Sequence, residues 1–200
     1  MSTPKGREPE VTGVMTDVKA RLDELLKEAL EGALSDVTPR APRVAVACSG
    51  GADSMALTDA LARLAPTLGL EAVALTVEHG LHERAREAAE GVCAYWRSRG
   101  VESHLLSARA ELIEQGRGVE EGARRARYAA LEEARRSLKL SLILLAHHAD
   151  DQAETLLMRL QGPTGVRGLA GIPTQRGHLL RPWLSVEGRH LKALASAQAL

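Results

Sequence analysis

The run Leu140-Ser-Leu-Ile-Leu-Leu-Ala146 carries apolar side chains on both faces of an extended backbone, and Val44-Ala-Val-Ala-Cys48 and the segment 72–77 read the same way. A strand that is apolar on both faces has to be covered on both, as happens in a parallel sheet flanked by helices. Between these strands the apolar spacing becomes helical. Leu57, Ala60, Leu61 and Leu64 share a stripe within 53–64, Ala85, Ala88, Ala89, Val92 and Trp96 share one within 83–97, and a longer helix is expected over 119–138. A strand near 101–106, a helix at 150–160, a short strand at 178–180 and a helix after 186 complete the pattern. The alternation specifies an α/β fold, a Rossmann-like parallel sheet with helices on both faces. Ligands of such sheets sit at the carboxyl ends of the strands, where the strand order reverses.

Ahead of the first strand, residues 1–13 read as a loose leader. A helix over 14–34 follows, with Val18, Leu22, Leu25, Leu26, Ala29 and Ala33 on one stripe. Thr38-Pro-Arg-Ala-Pro42 breaks it. The expected division is therefore a leader and N-terminal helix over 1–42 and a main domain over 43–200.

Composition narrows the function classes. Lys+Arg and Asp+Glu both number 26, so no global field draws in a nucleic acid. Aromatic residues make up 2% of the chain and Phe is absent, which excludes a multi-aromatic platform for stacking bases. The two cysteines, Cys48 and Cys93, form no C-x-x-C, which removes a disulfide framework and a four-cysteine metal centre. No apolar run reaches the ~18 residues of a membrane span, and the polar first ten residues lack a signal-peptide core, so a cytoplasmic protein with no membrane contact is expected. The neutrality is uneven, however. Residues 159–200 hold six basic residues against the single acidic Glu187, a patch suited to phosphate contact or to a solvated loop surface.

Three clusters carry the chemistry. The first strand runs into Ser49-Gly-Gly-Ala-Asp-Ser54 and then a helix. Two glycines allow a sharp turn close to an oxyanion, the helix aims its free N–H groups and positive dipole end at it, and Asp53 suits a magnesium-bridged phosphate. The alternative is a Gly-rich turn with Asp and Ser as helix caps. No lysine lies nearby, so the loop is not a Walker motif, and Gly116-Arg-Gly-Val-Glu-Glu-Gly122 has the wrong spacing for a dinucleotide fingerprint. The fourth strand ends in His147-His-Ala-Asp-Asp-Gln-Ala-Glu-Thr155, where Asp150 and Asp151 could hold magnesium, or where Asp151 and Glu154 could form a capping-box-like pair. Glu120, Arg124, Arg127 and Tyr128 open the 119–138 helix. Glu120 and Arg124 stand at i,i+4 spacing, so a solvated ion-pair ladder competes with a functional reading.

Taken together these residues resemble the PP-loop ATP pyrophosphatases, with an adenine nucleotide alpha-hydrolase-like fold. Ser49-Gly-Gly-Ala-Asp-Ser54, His79-Gly-Leu81, Glu120-x-x-Ala-Arg124-x-x-Arg127-Tyr128, His147-His-x-Asp-Asp-Gln-x-Glu-Thr155, Arg167-Gly-Leu-Ala-Gly-Ile172 and Arg181-Pro182 occur in one order, over residues 43–192. The set is similar to the N-terminal catalytic domain of the tRNA(Ile)-lysidine synthases. The resemblance implies ATP and Mg2+, with the wobble cytidine of tRNA(Ile) with anticodon CAU adenylated and then joined to free L-lysine. It implies ATP contacts from Ser49, Gly50, Gly51, Ala52, Asp53, Ser54, His79 and His147, and catalytic roles for Asp150, Asp151, Arg124 and Glu120. It also implies phosphate or tRNA contacts from Arg127, Arg167 and Arg181, magnesium on Asp53 and Asp151, and leaves a homodimer open. Glu78 stands where the family has His, Asp or Asn, the 161–167 loop is one residue longer, and the tRNA-binding C-terminal domains are expected to be absent. Another PP-loop tRNA-modifying enzyme, a metal-dependent phosphohydrolase, and a nucleotide- or tRNA-binding remnant stay open as alternatives.

Overall fold

The computed structural model describes residues 8–35, 41–78, 80, 83–109, 118–161 and 170–200. In chain order the elements are α1 (Glu8–Leu34), β1 (Arg43–Ala47), α2 (Ala52–Leu68), β2 (Glu71–Glu78), α3 (Glu83–Ser98), β3 (Glu102–Ser107), α4 (Val119–Ser137), β4 (Leu142–Leu144), α5 (Ala149–Leu160), β5 (Gln175–Arg176), β6 (Leu179–Leu180) and α6 (Gly188–Ala197). One sheet has the order β3-β2-β1-β4-β6-β5. Every neighbouring pair is parallel except β5 and β6, a short antiparallel hairpin. The chain leaves β1 towards β2 on one side and leaves β4 towards β6 on the other, so the order reverses between β1 and β4.

The pleat sorts the core. Val44 and Val46 face α1, α2 and α6, packed among Leu22, Leu26, Leu57, Leu61, Leu191 and Leu194. Ala45, Val73, Leu75 and Ile143 point the other way, against Leu131 and Ala134 of α4. Trp96 of α3 fills the space beside Ala74 and Met55. The expected doubly covered sheet is therefore what forms, and all three residues of β4 are buried, as its two-sided apolar pattern requires. Its regular ladder is shorter than the expected 140–146, but Ser141 N–H donates to Arg43 O at 2.8 Å and Leu145 N–H to Leu180 O at 2.9 Å, so the extended chain continues at both ends.

Three features depart from the sequence reading. The first helix starts at Glu8 rather than at residue 14, with Pro9 in its first turn, where the missing N–H has no helical acceptor to lose. The hairpin strand β5 was not anticipated, since two residues leave no periodicity to read. Helix α5 buries none of its residues and leaves Leu157, Met158 and Leu160 exposed. The first of these elements is integral to the core: Trp183 Nε1–H donates to Leu22 O at 3.0 Å, and Arg63 of α2 reaches Asp23 at 2.8 Å as well as Asp59. If α1 contributes core packing in this way, truncating the fully buried Leu26 to Ala lowers unfolding free energy by about 3 kcal/mol. Urea titration checks this, and an unchanged midpoint would reduce α1 to an appendage.

Candidate nucleotide-phosphate site

The ladder of β1 runs one residue past its end, where Cys48 N–H donates to Leu75 O at 2.8 Å, and the chain then turns within Ser49-Gly-Gly-Ala. Gly50 sits at φ 84°, and a Cβ there would lie 2.8 Å from Val92 Cγ2, so both conformation and space require glycine. Gly51 caps α2 without any side-chain bond. The Ser54 hydroxyl turns back to Gly51 O at 2.9 Å and accepts from Ser49 N–H at 3.1 Å, with Ser49 Oγ 3.3 Å away. The capping alternative is thus not what forms. The first turn of α2 keeps its N–H groups free, with two hydroxyls beside them, and a positive dipole end exposed to a ligand.

Across the switch point, β4 ends in the N-terminus of α5. Here the capping box exists, but three residues earlier than the Asp151–Glu154 pair expected. His148 is the N-cap, its Nδ1 accepts from Asp150 N–H at 3.3 Å, and Asp151 Oδ2 accepts from His148 N–H at 2.7 Å. The same ring reaches over the gap: His148 Nε2 lies 3.6 Å from Asp53 Oδ2, and its Nδ1 3.6 Å from Asp151 Oδ2. His148, which sequence reasoning placed only within a motif, therefore joins the two helix N-termini. Gly188 lets it sit there, since a Cβ at that position would approach His148 Cε1 to 2.7 Å. Gln152 of the same motif grips Ile172 on both sides, accepting from its N–H at 2.6 Å and donating to its carbonyl at 2.8 Å, which fastens the 170–172 segment to α5.

Between these two ends lies a cleft of about 370 Å³ lined by Ser49, Gly51, Asp53, Ser54, Arg127, His147, His148 and Asp151 among others. It brings together seven of the residues singled out in the sequence. Gly50 forms the turn behind it and Ala52 is the first residue of α2. Asp150 points away, its Oδ1 3.5 Å from Gly188 N, and Glu120 is exposed outside the cleft. Arg124 lines a second cavity, and no ion pair joins it to Glu120; its guanidinium lies 5.3 Å from the Tyr128 ring centroid instead. Arg181 is buried behind the cleft wall. His79 and Arg167 lie outside the described residues.

Electrostatics assign states to several of these groups. Arg181 Nε–H donates to His147 Nδ1 at 3.1 Å. A guanidinium is always protonated, so Nδ1 must be the acceptor and the neutral imidazole carries its proton on Nε2. Burial, with the Arg181 charge beside it, holds His147 down to about 4, so it meets the cleft as an uncharged donor at neutral pH. Asp53 Oδ1 and Arg127 Nε are buried without a hydrogen-bond partner. An orphaned carboxylate oxygen in a cleft that also presents Asp151 fits Mg2+, which takes one or two carboxylates and completes its shell with phosphate oxygens and water. No group of three or more metal-ligating side chains occurs among the described residues.

A glycine-rich strand-to-helix turn, an uncapped helix N-terminus and facing carboxylates at a sheet switch point define a nucleotide-phosphate-binding α/β domain of the adenine nucleotide alpha-hydrolase-like class. The chain belongs to the PP-loop domain family, which it matches over residues 14–200. It is 43% identical to a tRNA(Ile)-lysidine synthase of Thermobifida fusca over 172 residues, 86% of this chain and 52% of the relative. It is 42% identical to the tRNA(Ile)-lysidine synthase of Salinispora arenicola over 179 residues, 88% of this chain and 53% of that one. The chain thus spans about half the length of these curated relatives. Its fold is similar to that of the U34-tRNA thiolase NcsA of Methanococcus maripaludis, with a TM-score of 0.74 at 17% identity over 92% of this chain and 65% of that one. The NH3-dependent NAD synthetase of Campylobacter jejuni gives a TM-score of 0.57 at 21% identity, covering 93% and 74%. No helix among the described residues is long and apolar enough to cross a membrane.

Two outcomes test the site. Gly50→Ala, which meets both the positive φ and Val92, lowers affinity for ATP more than tenfold and costs about 1–3 kcal/mol of stability, read by nucleotide titration and thermal melting. For His147 the folded pKa of about 4 lies below the ordinary value near 6.5, so the unfolded chain binds the extra proton between those values. Its contribution to stability is complete above about pH 6.5 and is lost as pH falls towards 4. His147→Gln removes that part of the acid slope in urea midpoints, and an unaltered slope would contradict the assignment.

Proposed function

We propose that this domain carries out the ATP-dependent joining of free lysine to C2 of the wobble cytidine of tRNA(Ile) with anticodon CAU, in the cytoplasm. The observation that carries the nucleotide half is the free first turn of α2, which holds Asp53, facing Asp151 and Arg127 across one cleft. The tRNA half is supported by relatives named tRNA(Ile)-lysidine synthase that match at 42–43% identity over 86–88% of the chain.

In the first step the cytidine O2 attacks the α-phosphorus of ATP, an O–P bond forms, the α–β bridge breaks and pyrophosphate departs. The α2 amides and the Ser49 and Ser54 hydroxyls receive the departing pyrophosphate, whose charge grows as the bridge breaks. Arg127, rather than Arg124, is the arginine within reach, and its unpartnered Nε would donate to the α-phosphoryl oxygens. His147 adds a neutral N–H donor. In the second step the lysine amine attacks C2, the C2–O bond breaks and the oxygen leaves on AMP. Bound magnesium, held by Asp53 and Asp151, would neutralise charge on the phosphates. Thiolation in the manner of a cluster enzyme is the weaker reading, since the chain has only two cysteines, both buried, against the four thiolates such a cluster takes.

The assay is incorporation of radiolabelled lysine into a tRNA(Ile) CAU transcript, with a methionine tRNA as control. Incorporation is expected to require ATP, magnesium and the isoleucine transcript, and to fall by about a hundredfold or more in Asp53→Asn and Asp151→Ala. Full lysidine formation by Asp151→Ala would remove that carboxylate from the mechanism.

A further inference from the structure

A second cavity, about 910 Å³ and larger than the nucleotide cleft, lies between α4 and the β5–β6 hairpin. Arg124, Arg125, Arg176 and Arg181 line it, with Glu121 and Glu132 as the carboxylates. Glu132 is already committed elsewhere: Arg135 holds it at 2.8 and 2.9 Å and Arg136 at 2.8 Å, and these bonds keep its carboxyl down at about 2. None of the four cavity arginines has a carboxylate within ion-pair distance among the described residues. Arg181, 3% exposed, satisfies its donors on neutral acceptors only, His147 Nδ1 and Pro173 O at 2.9 Å. At the same wall Tyr128 Oη is buried without a hydrogen-bond partner of good geometry. Burial pushes the Tyr128 hydroxyl up, but the charges of Arg124 and Arg127, with Arg181 beside it, outweigh that and hold it below its ordinary value.

Burying the Arg181 guanidinium without a counter-charge is costly unless an anion supplies one, and Arg124, Arg125 and Arg176 line the same cavity as exposed cations. From these observations we infer that the cavity between α4 and the β5–β6 hairpin is a binding site for the phosphodiester backbone of RNA. A single small anion would need one or two of these arginines. Four, spread from the first turns of α4 to the hairpin, fit a chain of phosphates spaced along a strand. Arg181 and Tyr128 form part of the partition from the nucleotide cleft, because Arg181 lines this cavity and bonds to His147, which lines the other. An RNA strand held here runs beside the reacting phosphates without occupying their cleft. The inference rests on the proposed tRNA reaction and deepens it by naming where the strand flanking the reacting base is held.

Arg125 and Arg176 are the residues to change, since neither touches the nucleotide cleft or His147. Binding of the tRNA(Ile) CAU transcript to the full chain is measured over a range of salt, alongside binding of a fluorescent ATP analogue. Arg125→Ala and Arg176→Ala are each expected to weaken tRNA binding about tenfold and to reduce the slope of log affinity against log salt by about one. ATP affinity stays at the wild-type value, and Arg125→Lys and Arg176→Lys retain the salt slope. Unchanged tRNA affinity and slope in both alanine variants, or no tRNA binding by the wild-type chain, would overturn the site. So would weakened binding of inorganic phosphate or pyrophosphate with tRNA binding intact, which would make the cavity a small-anion site. Loss of lysine incorporation with wild-type tRNA binding would instead count against the reaction alone and leave the cavity as inferred.

Discussion

The reversal of strand order between β1 and β4 is the constraint on which the other features depend. Because the chain leaves the two adjacent strands in opposite directions, α2 and α5 diverge and a gap opens at the carboxyl edge of the sheet. Both helices present their N-termini to that gap, so two positive dipole ends face the same cleft. Each places a carboxylate in its first turn, Asp53 in one and Asp151 in the other. The His148 ring stands between them at 3.6 Å from each. The two ends are not equivalent. At α5 the capping box and the Val186 carbonyl take the amides of His148, Ala149 and Asp150, whereas at α2 a glycine cap leaves them open. The α2 side of the cleft therefore presents open amides together with a carboxylate, and the α5 side a carboxylate alone.

Behind the cleft, charge is handled differently. The wall of Arg127, Tyr128, Arg181 and His147 concentrates guanidinium groups and contains no acid among the described residues. A carboxylate beside Arg181 would stabilise it locally and cancel its potential. Neutral acceptors, an imidazole nitrogen and a backbone carbonyl, satisfy its hydrogen-bonding geometry while leaving the charge to act on both cavities. Burial, with Arg181 beside it, keeps His147 neutral, and the charges of Arg124 and Arg127, with Arg181 adding to them, pull the Tyr128 hydroxyl below its ordinary range. Arg124 and Arg127 lie 5.3 and 5.4 Å from the Tyr128 ring centroid, so the ring face meets part of their charge by cation–π attraction.

How much of this was legible in the chain depended on range. The glycine turn was readable because its geometry is local: glycines, hydroxyls and a helix start lie within six residues, and the Gly50 conformation follows from residue type. The doubly covered sheet was readable from two-sided apolar strands. What periodicity could not supply was register between distant elements. His148 bridging to Asp53, Gly188 making room for His148, Gln152 clasping Ile172 and Arg181 reaching His147 across 34 positions each depend on how α2, α5, β6 and α6 converge. The same limit explains the separation of Arg124 from Arg127. Three positions apart on one helix they share a face, but the cleft lies over one turn only, so the first falls into the neighbouring cavity. Glu120 and Arg124 satisfy the spacing of an ion pair, yet the aromatic ring one turn further on takes the guanidinium instead.

The zero net charge illustrates why totals mislead about partners. At physiological ionic strength a charge is felt over only about 8 Å, so a ligand responds to the groups beside it rather than to the sum over the chain. On α4 the far end pairs Glu132 with Arg135 and Arg136, while the near end carries Arg124, Arg125 and Arg127 with no carboxylate within ion-pair distance among the described residues. Equal numbers of acids and bases therefore coexist with a cationic face, provided that the acids are spent on other bases. On α1 and α2, where Asp23 and Asp59 hold Arg63, the same pairing does structural work and projects little field. The chain separates these two uses of charge by position: compensated pairs where helices are fastened together, and guanidinium groups without carboxylate partners among the described residues around the second cavity.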